Sequence, residues 1–349
     1  MTAMPHTGHL ARRILVPIES AIICLLFASD SLPAKEPQRQ SAGAESVAFP
    51  IELTHWTPRP GKPVFVAREP GNWDAKIRER GWILRNGDAY HLWFTGYDGT
   101  RSGLKRLGHA TSRDGIHWRR TPENPLSGDQ WVEDMMVVRH AGTYYMFAEG
   151  IENKLSVMLT SMNGIDWTWQ GPLDVRMADG KRTVNEPVGT PTVWVENGTW
   201  YLFYERLDQG VWLATTHNVD QKIWTNVRDE PVLVPGPAAY DKQLIALNQI
   251  IKRDGIYYAY YHGSGDSMPR TWNTNIARSR DLLHWEKYSG NPLVEDNKSS
   301  GIVVHTDDGL RLYTMHDQVD VFTSQKEAKP RTRPQPKKNL QQKIERVLQ

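Results

Sequence analysis

The sequence predicts an all-β protein: a five-bladed β-propeller with four-stranded blades, its ring closed by an N-terminal strand. Three observations carry that reading. The first is a series of hairpin glycines, Gly87, Gly142, Gly198, Gly255 and Gly309, spaced 55, 56, 57 and 54 residues apart. The second is a series of tryptophans, Trp56, Trp118, Trp167, Trp224 and Trp285, running beside the first. A fixed period of this length, with room for four strands per unit, marks propeller blades rather than unrelated sandwich domains. The third is phase. Trp56 precedes the first hairpin, and no Trp follows the last one at Gly309. Ring closure explains both ends: residues 55–66 supply the outer strand of the blade whose inner strands lie at 301–315.

Taken in order, the chain begins with Arg12-Arg13 and an apolar run over 14–28, broken by Pro17 and Glu19. Residues 1–30 read as a secretory signal peptide, too short and too interrupted for a stable membrane span. The expected location is therefore periplasmic or secreted. Residues 31–48 read as a linker, and 49–323 as the propeller. Cys24 is the only cysteine, which leaves the mature chain without disulfides or cysteine metal sites.

Within the propeller each hairpin glycine is followed by an aromatic or apolar return strand, at 90–94, 144–147, 200–204, 257–261 and 310–315. Asn197-Gly198 is the clearest turn, since both residues tolerate the positive φ of a tight hairpin. Three of the tryptophans follow a histidine (His55, His117, His284), and four have a proline seven residues on (Pro63, Pro125, Pro231, Pro292). The tail, 324–349, is polar and basic, with eight Lys/Arg against two Asp/Glu. Against a whole-chain net charge of +2, that leaves the body mildly acidic, so a nucleic-acid partner is not expected. The tail reads as a solvated disordered end.

Inner strands of a small propeller converge on one axis, so acids distant in sequence can meet in one pocket. Blade one offers Asp74 and Glu79, the latter flanked by Arg78 and Arg80. Blade two offers Glu133 and Asp134. Strand alternation allows only one of these two to face the axis. Blade three offers Glu186, and blade four Asp241 and Asn248. His262 and His316 close return strands and are candidate substrate contacts. The insertion at 263–275, with Arg270 and Trp272, is placed to wall the pocket. Trp73, Trp82 and Trp131 are divided between sugar stacking and core packing. There is no phosphate loop, nucleophile elbow or metal-ligand motif.

The blade phrase LGHATSRDGIHWRRTPENPL, followed by a strand and the YYMF hairpin, resembles the five-bladed glycoside hydrolases of families 43, 32, 62, 68, 117 and 130, closest in style to family 43. The resemblance implies three catalytic carboxylates from blades one to three. WVEDM places Asp134 at the second-blade Asp, which holds the sugar and raises the acid's pKa. NEPVGTP places Glu186 at the third-blade Glu, the general acid, although Pro187 follows it directly. The first-blade Asp-Pro is replaced by Asp74-Ala75, leaving Asp74 and Glu79 as rival bases, with Asp74 preferred. Glu79, Arg80, Trp131, His262, Arg270 and His316 are the expected substrate contacts. No cofactor is implied beyond a structural calcium ion that the central channel of relatives can hold. The Asn-Asp-Pro-Asn-Gly phrase of invertase-like enzymes is absent. The expected activity is inverting hydrolysis of a plant or algal glycan. The alternatives are a family 130-like phosphorylase, with Lys76, Arg78, Arg80 and Arg270 as phosphate ligands, and a non-catalytic glycan-binding propeller.

Overall fold

The glycine period is realised as five hairpins. In the computed structural model, which describes residues 48–150, 155–183, 187–266 and 271–325, they pair Trp82–Asn86 with Ala89–Tyr97, Glu133–His140 with Thr143–Glu149, Gly189–Glu196 with Thr199–Glu205, Leu244–Arg253 with Ile256–Ser264, and Ile302–Thr306 with Gly309–Met315. Each hairpin is the inner half of one blade, and the five small sheets form a ring. Third strands follow at Arg106–Ser112, Ser156–Ser161, Val211–Thr216, Asn273–Ser279 and Gln318–Ser324. Blade three adds Asp174–Arg176, parallel to its outer strand Ile223–Asn226.

Closure is as the phase of the repeats predicts. Trp56–Pro58 pairs antiparallel with Gln318–Ser324 (Trp56 opposite Ser324), and Phe65–Val66 pairs with the same strand (Phe65 opposite Val319). The first and last segments of the ring therefore share one sheet, which leaves no open edge at the seam.

The sequence repeat is also a repeat of hydrogen bonds. Ser112 Oγ accepts from the backbone N–H of Asp114 and Gly115, while Asp114 Oδ1 accepts from Ile116 and His117. Ser279 and Asp281 do the same for Asp281, Leu282, Leu283 and His284. In both turns the histidine before the tryptophan lies against the turn Asp, at 2.7 Å for His117–Asp114 and 2.8 Å for His284–Asp281. These side chains take up backbone donors that would otherwise lack partners. Downstream, Asn124 and Asn291 each precede a cis proline and bracket one third-strand residue, His109 and Ile276, by accepting from its N–H and donating to its C=O.

Aromatic residues fill the space between blades. Trp93 and Trp224 are fully buried, and Phe147 and Trp200 pack across the boundary between blades two and three. Among the described residues no helix is long and apolar enough to cross a membrane. The expected signal peptide, linker residues 31–47 and the tail beyond 325 lie outside the described residues, as do Glu186 and Arg270.

Candidate active site

The blade mouths enclose a cavity of about 420 Å³ lined by six carboxyl side chains: Glu79, Glu133, Asp134, Glu149, Glu205 and Asp208. Arg78, His262, Trp131 and Trp272 complete its chemistry. The aromatic faces suit the apolar faces of a sugar ring, and the carboxyls suit its hydroxyls.

Local backbone irregularity puts two of these acids side by side. Glu133 and Glu149 are cross-strand partners, but the register slips between Glu133 and Met136, and Asp134 sits at φ +50°. A bulge of this kind re-aims a side chain. Both Glu133 and Asp134 therefore line the cavity, and the expectation that strand alternation admits only one of them is overturned.

Glu149 and Glu205 were not among the residues expected from the sequence. They occupy the same place in their blades, seven residues after Gly142 and Gly198, at the mouth end of the return strand. The equivalent residues of blades four and five are His262 and His316. Three of these four line the cavity, and His316 Nδ1 lies 3.3 Å from Glu79 Oε2. Read for its polar residues, the hairpin period would have found all four.

Burial and neighbouring charge push these carboxyls apart. Burial and the nearby Glu149, Glu133 and Glu79 raise Asp134 well above the usual carboxylate range, and its Oδ1 is buried without a hydrogen-bond partner among the described residues. Burial raises Glu149 to about 7, although the Thr190 N–H donates to its Oε1 at 2.6 Å. Burial, with Asp208 and Glu149 adding to it, raises Glu205 to about 8; the Asp208 N–H donates to this carboxylate. Glu79 goes the other way. Burial opposes its charge, but His316 and Arg78 outweigh it and hold the group at about 2. Arg78 also donates to Glu133 Oε1 at 2.5 Å, and Trp131 Nε1 donates to Glu133 Oε2 at 3.0 Å. The site thus combines carboxyls that keep a proton near neutrality with one, Glu79, held as an anion, which is the requirement for acid–base work by like groups.

The remaining candidates are distributed as follows. Glu79, Asp134, Trp131 and His262 line the cavity, and His316 adjoins it. Trp272, in the predicted wall, lines it as well, with its ring 4.8 Å from His262. Asp74 does not reach it. Its side chain is fully buried between Arg68 (2.5 Å) and Arg120 (2.8 Å), and a Cβ on Gly96 would lie 2.7 Å from its own Cβ. Blade four repeats the arrangement, with Asp241 buried under Gly263 and held by Lys287 at 2.5 Å. Asp74 is therefore a blade clamp, and the preference for it as base is corrected in favour of an acid that lines the cavity.

Arg80 is corrected too. It is 1% exposed, and its guanidinium donates to Asp134 O (2.9 Å), Pro191 O (2.7 Å) and Thr192 Oγ1 (2.5 Å), while its N–H donates to Met315 O (3.1 Å). It ties blades one, two, three and five together beneath the cavity instead of meeting substrate. Burial lowers it to about 10, still charged at neutral pH. Trp82 is core, and Trp73 stacks on Phe94. Among the described residues no group of three or more His, Cys, Asp or Glu is arranged to hold a metal ion.

No family model matches the chain. Over 226 residues it is 26% identical to a 1,2-β-oligomannan phosphorylase of Thermoanaerobacter sp. (strain X514), spanning 59% of this chain and 71% of that protein. Among solved structures it is similar to a glycosyl hydrolase from Bacteroides ovatus, at 17% identity and a TM-score of 0.63, covering 79% of this chain and 95% of that one. The fold, a five-bladed β-propeller, is the one these structures share. A third likeness, at 19% identity and a TM-score of 0.62 over 82% of this chain and 96% of the other, is to a structure from glycoside hydrolase family 130. That family is described as mannoside phosphorylases containing hydrolases that target β-1,2-mannosidic linkages in Candida mannan. The proteins this chain resembles in sequence or fold thus include both hydrolases and phosphorylases.

Proposed function

We propose that the protein is a glycoside hydrolase acting on neutral β-mannosides by inversion. The observation that carries this is the carboxyl set of one cavity, Asp134 with Glu149 and Glu205, held protonated or poised near neutrality. Glycosidic cleavage needs a carboxyl that gives its proton to the leaving oxygen and a carboxylate that takes one from water. Asp134 is the donor in this reading. The Glu149–Glu205 pair, titrating near neutrality, removes a proton from the water that attacks the anomeric carbon. Glu79 and Glu133, fixed by His316, Arg78 and Trp131, hold the sugar hydroxyls. Uronates and sulfated sugars are disfavoured, because even without the raised Asp134, Glu149 and Glu205 the acids lining the cavity outnumber Arg78, its one lining arginine.

Phosphorolysis is the second reading, favoured by the likeness to an oligomannan phosphorylase. It requires a cationic seat for phosphate. Of the four cations expected to form one, Arg78 is engaged by Glu133, Arg80 is buried beneath the cavity, Lys76 is exposed on a strand outside it and Arg270 lies outside the described residues. Among the described residues the local charge therefore supports water as the acceptor. Incubation with β-1,2-mannobiose, with and without inorganic phosphate, separates the two. Hydrolysis releases mannose equally in both, whereas mannose 1-phosphate appearing only with phosphate sinks the hydrolase reading. Anomer-resolved NMR of the first product tests inversion.

A further inference from the structure

The geometry points to a second sugar subsite in blade five, entered from the main cavity across His316 and taking a neutral pyranose unit of an oligosaccharide. It rests on the glycan-active reading of the main cavity. A separate hollow of about 240 Å³ opens at the mouth of this blade. Two contacts join it to the main cavity. His316, on its wall, lies 3.3 Å from Glu79 in the main cavity. Asn297, also on its wall, accepts at Oδ1 from the backbone N–H of Trp272, which lines the main cavity, at 3.0 Å. The two spaces share no lining residue, and these two contacts are what bring their walls together.

The chemistry of the hollow is that of a hydroxyl-binding surface. Asp296, Asn297, Asp317 and Gln318 offer carboxylates and amides, and Thr314, 1% exposed, closes the base. Carboxylates accept strongly from sugar hydroxyls, and an amide both donates and accepts. Lys298 is paired with Asp320 at 2.7 Å, so the acids set the local charge. A phosphate, sulfate or uronate would be repelled, whereas a neutral ring would not. The main cavity supplies aromatic faces at Trp131 and Trp272, and the blade-five hollow supplies hydrogen bonds. A chain that crosses His316 uses both.

Calorimetry with β-1,2-mannobiose and β-1,2-mannotriose tests the subsite on the full chain, beside the double variant Asp317→Ala/Gln318→Ala. Both residues lie at the mouth of the blade, and a melting curve checks folding. The wild type should bind the trisaccharide about tenfold more tightly than the disaccharide, the scale of one or two net hydrogen bonds. The variant should lose that advantage and leave disaccharide binding unchanged. Equal affinities for the two lengths in the wild type, no binding of either, or equal loss of both in the variant would overturn the subsite. Length-dependent binding without any turnover would instead leave the subsite standing and remove the hydrolase reading.

Discussion

Glu149 and Glu205 close over one glycine. A Cβ built on Gly189 would lie 1.9 Å from Glu205 Oε1 and 2.9 Å from Glu149 Oε1. Gly189 is the cross-strand partner of Glu205, and the following residue, Thr190, donates to Glu149. The absence of a side chain at this position is what allows both carboxyls into the same space. Gly189→Ala should displace at least one of them. Turnover on a β-mannoside should fall by roughly 10²-fold or more, on the scale of a lost general base. Circular dichroism should remain that of a β-protein. A variant with wild-type kcat/KM would show that the pair is not part of the chemistry.

The pH–rate profile follows from the same pair. A base works only when ionised, so activity should rise with pH through the region near 7, where Glu149 titrates. An acid works only when protonated, so activity should fall again at higher pH as Asp134 loses its proton. The profile should be bell-shaped and displaced to the alkaline side of ordinary carboxylate pairs. Glu149→Gln should remove the rising limb and lower kcat by roughly 10²–10⁴-fold. Persistence of the limb in that variant would place the base elsewhere, with Glu79, Glu133, Glu205 and Asp208 the remaining carboxyls of the cavity.

Stability should carry the opposite signature. The folded state raises Glu205 from 4.5 to about 8, so between those values the native chain binds a proton that the unfolded chain has lost. The contribution is fully present below the unfolded value and drains away as pH rises toward 8, at about 1.4 kcal/mol per pH unit for a single isolated group. Glu205→Gln imitates the protonated form. Its melting temperature should exceed that of the wild type at alkaline pH and approach it in acid. Parallel melting curves for the two proteins across pH would refute the buried, raised carboxyl. The same substitution should cost activity, as expected when an active site holds groups at the expense of stability.

The architecture was legible because it is periodic. Hairpin glycines, the Ser-x-Asp turns and the tryptophans recur with the blades, and the phase of the two series located the seam at Trp56 and Ser324. Site residues were legible only where they shared that period. Asp134 was found from its place ahead of a hairpin, but the bulge that turns it beside Glu133 is a backbone event with no residue signature in WVEDM. Glu149 and Glu205 follow the glycine instead of preceding it, on return strands whose aromatic and apolar residues read as blade core. Asp74 misled for a different reason. A buried carboxylate clamped by arginines and a catalytic one are the same letter, and Arg68 and Arg120 lie 6 and 46 residues away.

Asp74 joins Arg68, just beyond the closing segment, to Arg120 on the outer strand of blade one, and Arg120 in turn donates to Val66 O at 2.6 Å and stacks over Phe65 at 4.2 Å. The carboxylate therefore helps fasten the seam of the ring. Asp74→Asn removes the charge while keeping the shape, leaving both guanidiniums without their counter-ion. Breaking a buried pair costs roughly 3–5 kcal/mol, and the lower end applies here because both arginines are partly exposed. Chemical denaturation should show that loss, with kcat of the folded enzyme essentially unchanged. Asp134→Asn should do the reverse, sparing the fold and removing turnover. If Asp74→Asn abolished turnover at full stability, Asp74 would have to reach substrate after all, and its place as a clamp would fall.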